Sequence, residues 1–312
     1  MNSRVIHNNP FAKAKTRSIV YWFVLVIPLL FILYLVIGLL IDLPALIEGR
    51  NIDFEDPIYN SVVINFGFYL VTFSWLRFYQ AKTAFKFKYL LGNIYSLRKH
   101  SRLLLLLIPL MLFAFGSTQV FYYLLFLIDP KTAISAIEQK LLLTSEATAY
   151  PLLYNIIQVI AIVILAPIIE EILFRGIFLH RWGTKWSVRT AVITSSIAFG
   201  CLHFDFISAS ISGLLLSLIY LKTKSLVVPI AIHFLNNLIV MAISFFSLLQ
   251  ATPKPTPTLE TLESSLLPAT VAIVIASIWL IIFCRDNWRL TMKPLPYFMN
   301  RDYRKTKIIR AN

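Results

Sequence analysis

Charged residues are scarce in this sequence. Asp, Glu, Lys and Arg make up only 14% of the 312 residues, whereas 58% of the residues are hydrophobic. A soluble domain carries about 25% charged residues, so this chain has too few of them to cover a water-facing surface. The composition therefore excludes an ordinary soluble protein and predicts a membrane protein.

Cysteine and acidic residues are also few. The two cysteines, Cys201 and Cys284, make no disulfide framework, and both lie in apolar runs where we expect small buried side chains. Fifteen acidic residues against 29 basic ones give a formal charge of +14. A nucleic-acid-binding protein needs a basic face on a soluble fold. Here the basic residues lie between apolar runs, so we exclude nucleic acid as a partner.

Long apolar runs account for most of the chain. A membrane-spanning helix needs roughly 20 apolar residues, and eight runs without Asp, Glu, Lys or Arg approach or exceed that length. The runs are Ser18–Ile41, Pro57–Leu76, Leu103–Ile128, Ala147–Ile169, Thr190–Phe204, Phe206–Leu221, Ser225–Pro253 and Ser264–Cys284. The first run is too long for the core of a signal peptide, so we expect it to be retained. The sequence predicts an all-α, polytopic membrane bundle of about eight helices, with the short fifth and sixth runs as a hairpin.

The basic residues are distributed unevenly between the two sides of this topology. If the N-terminus is cytoplasmic, 25 of the 29 Lys and Arg residues fall in cytoplasmic segments. Cytoplasmic loops of membrane proteins collect Lys and Arg in this way, which predicts that both termini are cytoplasmic. The basic tail also carries Trp288, Tyr297, Phe298 and Tyr303, and we expect it either to lie along the anionic inner leaflet or to be solvated.

Two acidic residues lie where an apolar helix would otherwise continue. Glu170 and Glu171 interrupt the run LAPIIEEILFRGIFLHRW, although a carboxylate within a span costs about 2.5–3.5 kcal/mol. The span either ends at Ile169 or continues to a stop signal that begins at His180, and the apolar residues after Glu171 favour the second alternative. Arg175 stands four residues after Glu171 on the same helix face, so the two can form an ion pair. Glu170 points about 100° away and remains free to take a proton.

Three more polar residues stand in apolar surroundings on other runs. His203 lies near the end of the fifth run, and His233 lies in the seventh run, four residues before Asn237 and on the same helix face. A single polar side chain in a span often only hydrogen-bonds a neighbouring helix, which is the alternative for each histidine taken alone. Helix rise places Glu170, His203 and His233 roughly 18, 21 and 12 Å from the cytoplasmic ends of their runs, so the three can converge in one layer.

Together these residues form three spaced motifs. The motifs are Glu170-Glu171-x-x-x-Arg175, Phe199-x-x-x-His203 and His233-x-x-x-Asn237. Their residues, order and approximate spacing resemble the three motifs of the CAAX protease and bacteriocin-processing (CPBP) family, and the resemblance covers about Leu152 to Ile243. The first three runs, the last run and the tail resemble nothing in that family.

The resemblance implies an intramembrane glutamate-type endopeptidase without a bound cofactor. By this resemblance Glu170 is the catalytic glutamate, which activates a water molecule together with His203, and His233 and Asn237 stabilise the oxyanion. These roles agree with the chemistry, since a carboxylate or imidazole takes the proton of the water and side-chain donors stabilise the charged intermediate. The residues expected to support the site are Glu171 and Arg175.

The same resemblance suggests a division of the chain and a set of partners. Residues 1–150 would hold three N-terminal spans, residues 151–250 a four-span catalytic core, and residues 251–312 a loop, the last span and the basic tail. The partners would be membrane lipid and a peptide or protein substrate, either a prenylated CAAX protein or a small leader-type peptide. The location would be a bacterial-type cytoplasmic membrane.

Other functions of the polar residues stay open. Glu, two His and Asn can ligate zinc, although the HExxH motif of zinc peptidases is absent. Cys201 precedes His203 by two residues, but on a helix this spacing separates a thiol from an imidazole. A non-proteolytic membrane scaffold or immunity protein would use polar residues only to hold helices together, and a proton-coupled transporter would use a Glu/His relay. Transporters often have repeated halves or paired broken helices, and the sequence shows neither.

Overall fold

The computed structural model describes residues 9–12, 15, 17–41, 43, 47, 56–61, 67–250 and 256–309. Within these residues the protein is all-helical and contains no β-strand, as the sequence predicts. The helices are α1 (Arg17–Ile41), α2 (Pro57–Asn60), α3 (Phe68–Thr83), α4 (Phe87–Leu91), α5 (Ser96–Lys99), α6 (Leu107–Ile128), α7 (Pro130–Glu138), α8 (Pro151–Lys185), α9 (Val188–Gly200), α10 (Phe206–Thr223), α11 (Val227–Leu249), α12 (Leu259–Asn287) and α13 (Pro296–Ile309). A 3₁₀ turn, Ser101–Leu106, precedes α6, and another, Trp288–Met292, follows α12.

Among the described residues, five helices are long and apolar enough to cross a bilayer. They are α8, α10 and α11, together with α6 and α12 extended by their adjoining 3₁₀ turns. The protein is therefore a multi-pass membrane protein. The total of eight spans and the cytoplasmic position of both termini stay predictions, because parts of the second and seventh runs (62–66 and 251–253) lie outside the described residues.

The helix that carries the two glutamates is continuous. α8 begins at Pro151, a residue suited to the first turn of a helix, and runs through Glu170 and Glu171 to Lys185. It contains two π-helical turns, Ile160–Leu165 and Ile172–Phe178, one on each side of the glutamates. The glutamates therefore lie inside a helix and not at its end, which favours the second of the two alternatives considered for this run.

The fifth run forms a shorter helix than the sequence predicts. α9 begins at Val188 and ends at Gly200, so residues 201–205 form a turn before α10. Its 13 residues extend about 20 Å, less than the roughly 30 Å of a hydrocarbon core, so the helix ends before the Thr190–Phe204 run does, and the span predicted there stays a prediction. At this turn Gly200 packs closely against the start of α10. A Cβ at position 200 would lie only 2.7 Å from the carbonyl oxygen of Phe206, so the close approach depends on glycine.

The expectation that both cysteines are buried is wrong. Cys201 is exposed in the turn after α9, and Cys284 near the end of α12 is half-buried. The helix ends one residue before Cys201, so this side chain has no neighbouring helical turn to cover it.

The core that positions the glutamates lies between α3, α8, α9 and α10. It contains Trp75 of α3, Phe174 of α8, Val192 of α9 and Leu218 of α10, each at most 3% exposed. Close side-chain packing of this kind is what holds helices together in a bilayer, where lipid is as apolar as the side chains. Helices from the N-terminal half and the centre of the chain therefore form one packed unit.

The start of the C-terminal tail packs against protein. The backbone N–H of Tyr297 donates to Nε2 of His180 at 3.2 Å, and the Tyr297 hydroxyl accepts from the backbone N–H of Lys86 at 3.2 Å. Phe11 is fully buried in the same place, stacked on His180 with ring centroids 4.9 Å apart. The expectation that the tail lies on the bilayer or in solvent is therefore wrong for its first turn, whereas Tyr303 further along is 72% exposed.

Candidate active site

Glu171 and Arg175 form a buried ion pair. Nη1 of Arg175 donates to Oε1 of Glu171 at 2.7 Å, and the two side chains are 1% and 0% exposed. Nη2 of the same guanidinium donates to the backbone carbonyl of Gly213 on α10 at 3.1 Å. The guanidinium carbon lies 4.5 Å from the centre of the Phe199 ring on α9. The predicted pair is present, and its arginine also joins α8 to α9 and α10.

His233 of α11 contacts the same carboxylate. Its Nδ1 lies 3.1 Å from Oε1 of Glu171, and this carboxylate oxygen accepts the hydrogen bond. His233 is 7% exposed, so the contact is buried. One oxygen of Glu171 therefore accepts from both an arginine and a histidine, and this carboxylate joins α8 to α11.

Glu170 has different partners. Its Oε1 accepts a hydrogen bond of 3.0 Å from the hydroxyl of Tyr69 on α3. Its Oε2 lies 3.9 Å from Nε2 of His203 and has no hydrogen-bond partner within the described part of the chain. A distance of 3.9 Å is too long for a direct hydrogen bond, but one water molecule can contact both atoms. Glu170 is 8% exposed and is the one of the two glutamates without a cationic arginine or lysine partner among the described residues.

His203 presents Nε2 to Glu170 because its other ring nitrogen is engaged. Nδ1 donates to the backbone carbonyl of Phe199 at 2.8 Å, and a carbonyl can only accept, so Nδ1 carries a hydrogen. In the neutral imidazole Nε2 then has a free lone pair. The His203 side chain is 36% exposed, and its ring lies against Phe199 with centroids 4.5 Å apart. The nitrogen that faces Glu170 thus has a free lone pair, on a side chain that is partly exposed.

The turn that carries His203 is anchored to α6. Oδ2 of Asp205 accepts hydrogen bonds from the hydroxyls of Ser117 at 2.6 Å and Thr118 at 3.0 Å. Oδ1 of Asp205 accepts from the backbone N–H of Ser208 at 3.0 Å and caps α10. The Asp205 carboxylate therefore holds this turn both to the start of α10 and to α6.

Asn237 lies one helical turn after His233 and points toward α8. Its Nδ2 donates to the backbone carbonyl of Ile162 at 2.8 Å, within the first π-helical turn. Its Oδ1 lies 3.3 Å from Nδ2 of Asn236. An amide nitrogen carries two hydrogens, so one donor of Asn237 remains after the contact with Ile162.

The structure thus brings together the polar residues of all three motifs. The rings of His203 and His233 lie on the same Phe199 ring, at centroid distances of 4.5 and 5.8 Å. The depths of the three residues in their runs predict both histidines near Glu170, whereas the structure pairs His203 with Glu170 and His233 with Glu171.

Sequence reasoning missed Tyr69, Asp205 and Gly213. Tyr69 is one of several aromatic residues in the second run, and a main-chain carbonyl such as that of Gly213 leaves no signal in a sequence. Asp205 separates the fifth and sixth runs, and an Asp three residues before a helical backbone N–H is a familiar cap.

The described residues contain no group of three or more His, Cys, Asp or Glu side chains that could hold a metal ion. The nearest approach to such a group is two separate carboxylate–histidine contacts, on Glu170 and on Glu171. The expectation of a metal-free site stays a prediction.

Comparisons with known proteins agree with the three motifs. Residues 152–239 match the family model described as type II CAAX prenyl endopeptidase Rce1-like. This matched segment includes all three motifs but neither α3 nor α6. No curated protein and no solved structure matches the chain. The matched segment covers 88 of the 312 residues, and together with the three motifs gathered between α8, α9 and α11 it supports membership of the CAAX protease (CPBP) family.

Proposed function

We propose that this protein is an intramembrane endopeptidase in which Glu170 and His203 activate a water molecule. The observation that carries the proposal is the 3.9 Å separation between Oε2 of Glu170 and Nε2 of His203. A water molecule in contact with both atoms has two acceptors for its hydrogens, which is the geometry that general-base catalysis requires. The family match supports a peptidase, and the two residues supply the chemistry.

The proposed reaction is the hydrolysis of one peptide bond. The water oxygen attacks the scissile carbonyl carbon while one of its protons passes to the Glu170–His203 pair. The carbonyl oxygen becomes the oxyanion of a tetrahedral intermediate. The carbon–nitrogen bond then breaks, and the pair returns the proton to the leaving amine, so that a carboxyl and an amine are formed and the pair is regenerated.

In this proposal His233 and Asn237 donate to the oxyanion. Glu171 accepts from Nδ1 of His233 and thereby orients the ring, and Nε2 donates to the oxyanion when the imidazole carries both hydrogens. Asn237 has its second amide hydrogen, because the first is bonded to Ile162. Removing one donor of this kind from an enzyme costs about 10²–10³ in kcat.

We further propose that the substrate is a prenylated C-terminal peptide, following the description of the matched family. A lipid-modified peptide is held at the bilayer, where a site between membrane helices can reach it. A small leader-type peptide is the alternative substrate, and a bacterial-type cytoplasmic membrane is the location that the family resemblance suggests.

The test is cleavage by the purified protein in liposomes. The probe is a farnesylated peptide that ends in a CAAX sequence, and mass spectrometry detects the residues released beyond the modified cysteine. Glu170→Ala and His203→Ala should each lower the rate at least about 100-fold without changing the melting temperature by more than a few degrees. Cys201→Ser, in the same turn as His203, should retain activity. Full cleavage by both alanine variants would overturn the proposal.

A non-proteolytic scaffold is the second candidate function. One observation favours it: the contacts of Glu171 with Arg175 and His233, and of Arg175 with Gly213, join α8, α10 and α11 without any reactant. The two functions differ in one outcome. If the wild-type protein cleaves no peptide, and a deletion phenotype is rescued by Glu170→Ala as well as by wild type, the scaffold function is correct.

A further inference from the structure

We infer that Tyr69 is a positioning residue of the active site, which sets the orientation of the Glu170 carboxylate. The inference rests on the proposed function of Glu170 and extends it, because Tyr69 lies on α3, outside the matched segment. Its hydroxyl donates to Oε1 of Glu170 at 3.0 Å, across 101 residues of sequence. A helix from the N-terminal part of the chain therefore completes a site whose three motifs all lie in the matched segment.

A glutamate carboxylate needs an external contact to define its orientation. The terminal torsion of Glu is broad and roughly two-fold, so the helix backbone does not decide which oxygen faces a neighbour. With the Tyr69 hydroxyl on Oε1, the oxygen that faces Nε2 of His203 is Oε2. Oε2 also has no hydrogen-bond partner in the described ranges. The hydroxyl thus engages Oε1 in a hydrogen bond and leaves Oε2 for the reacting water.

The chemical type of the partner distinguishes the two glutamates. Glu171 is bonded to Arg175 at 2.7 Å, a charge-assisted contact with a cationic partner. Tyr69 is a neutral donor at 3.0 Å, so it orients Glu170 without adding a positive charge. Glu170 is therefore the carboxylate whose hydrogen-bond partner is neutral, and it is the one to which the proposed function assigns the proton transfer.

Packing holds α3 in place independently of the Tyr69 hydroxyl. Further along the helix, Trp75, Leu76 and Tyr79 are 3%, 1% and 4% exposed. They belong to the same core as Ile169, the residue before Glu170. Removing one hydroxyl from this helix should therefore leave α3 seated against α8, and the effect of the removal can be read as an effect on Glu170.

The test compares two identical deletions on one helix. Tyr69→Phe removes the hydroxyl that contacts Glu170. Tyr79→Phe is the matched control, since its buried hydroxyl has no hydrogen-bond partner within the described part of the protein. On the farnesylated CAAX peptide, Tyr69→Phe should lower kcat about 10–100-fold with little change in KM, as for the loss of a hydrogen bond to a charged group. Tyr79→Phe should change neither by more than about twofold. Equal effects of the two variants, or a rise in KM alone, would overturn the inference.

A second measurement does not depend on cleavage. If the wild-type protein leaves the peptide intact, the proposed function fails, and melting temperatures then decide whether Tyr69 acts on Glu170. Tyr69→Phe should lower the melting temperature of the wild type. It should not lower that of Glu170→Ala, where the buried hydroxyl has lost its acceptor. The same decrease in both backgrounds would show that the two side chains are not coupled and would overturn the inference.

Discussion

Nδ2 of Asn237 donates to the backbone carbonyl of Ile162 at 2.8 Å, five residues before Pro167 in the same helix. In the first π-helical turn of α8, backbone N–H groups bond carbonyls five residues earlier, as the N–H of Ala166 does with Ala161. The next bond in this register would come from residue 167, but proline has no N–H. A side chain of α11 therefore replaces the missing backbone donor just before the glutamates.

This relationship predicts a compensating pair of substitutions. Asn237→Ala should lower the free energy of unfolding by about 1 kcal/mol, because it leaves the Ile162 carbonyl unpaired. In a Pro167→Ala background the backbone supplies an N–H, so Asn237→Ala should then cost clearly less. The melting temperatures of the four proteins in detergent measure the difference. An equal cost in both backgrounds would contradict the role given to Pro167.

The buried ion pair predicts a strong asymmetry between single and double substitutions. Arg175→Met should destabilise the protein by about 3–5 kcal/mol, because Glu171 keeps a buried charge that has lost its arginine. The double variant Glu171→Gln/Arg175→Met removes both charges and should recover a large part of this loss. Thermal unfolding in detergent checks the order of stability. Additive effects of the two substitutions would contradict the pairing.

The contact between Asp205 and α6 predicts a loss of activity from substitutions outside the matched segment. Ser117→Ala combined with Thr118→Val removes both hydroxyl donors to Asp205 and leaves the cap of α10 intact. The turn that carries His203 is then less restrained, and kcat on the farnesylated CAAX peptide should fall about tenfold, since catalytic partners need a defined distance.

The exposed thiol of Cys201 offers a direct report on the same turn. A nitroxide label on Cys201, in a Cys284→Ser background, should show greater mobility in the Ser117→Ala/Thr118→Val variant than in the parent protein. Ser244→Ala, which removes an exposed hydroxyl of α11, is the control and should change neither mobility nor kcat. Unchanged mobility in the double variant would contradict the anchoring role of α6.

A metal-free mechanism predicts that chelators do not affect cleavage. Treatment with EDTA or 1,10-phenanthroline, followed by dialysis, should leave the rate on the farnesylated CAAX peptide unchanged, and added zinc should not increase it. The reason is that the proposed proton acceptor is a carboxylate–imidazole pair, which needs no Lewis acid. Activity that disappears with the chelator and returns with zinc would show that the site uses a metal.

Local features of the sequence were sufficient for the class of protein and for the residues of the three motifs. Low charge and long apolar runs define a membrane helix without reference to the rest of the fold, because the bilayer sets the required length. The pairing of Glu171 with Arg175 follows from the geometry of one helix, in which residues four apart share a face. These inferences needed no knowledge of how helices pack.

Contacts between helices depended on the tertiary structure. Packing brings Tyr69 to Glu170 and His233 to Glu171. It also ends α9 before His203. The spacing of residues along one helix does not determine how that helix is rotated relative to its neighbours. Each of these contacts joins segments far apart in the chain, and each depends on helix rotation and close approach at small residues such as Gly200. The sequence thus separated Glu171, with its arginine, from Glu170, and the packing of α3, α9 and α11 around them gave each glutamate its partners on other helices.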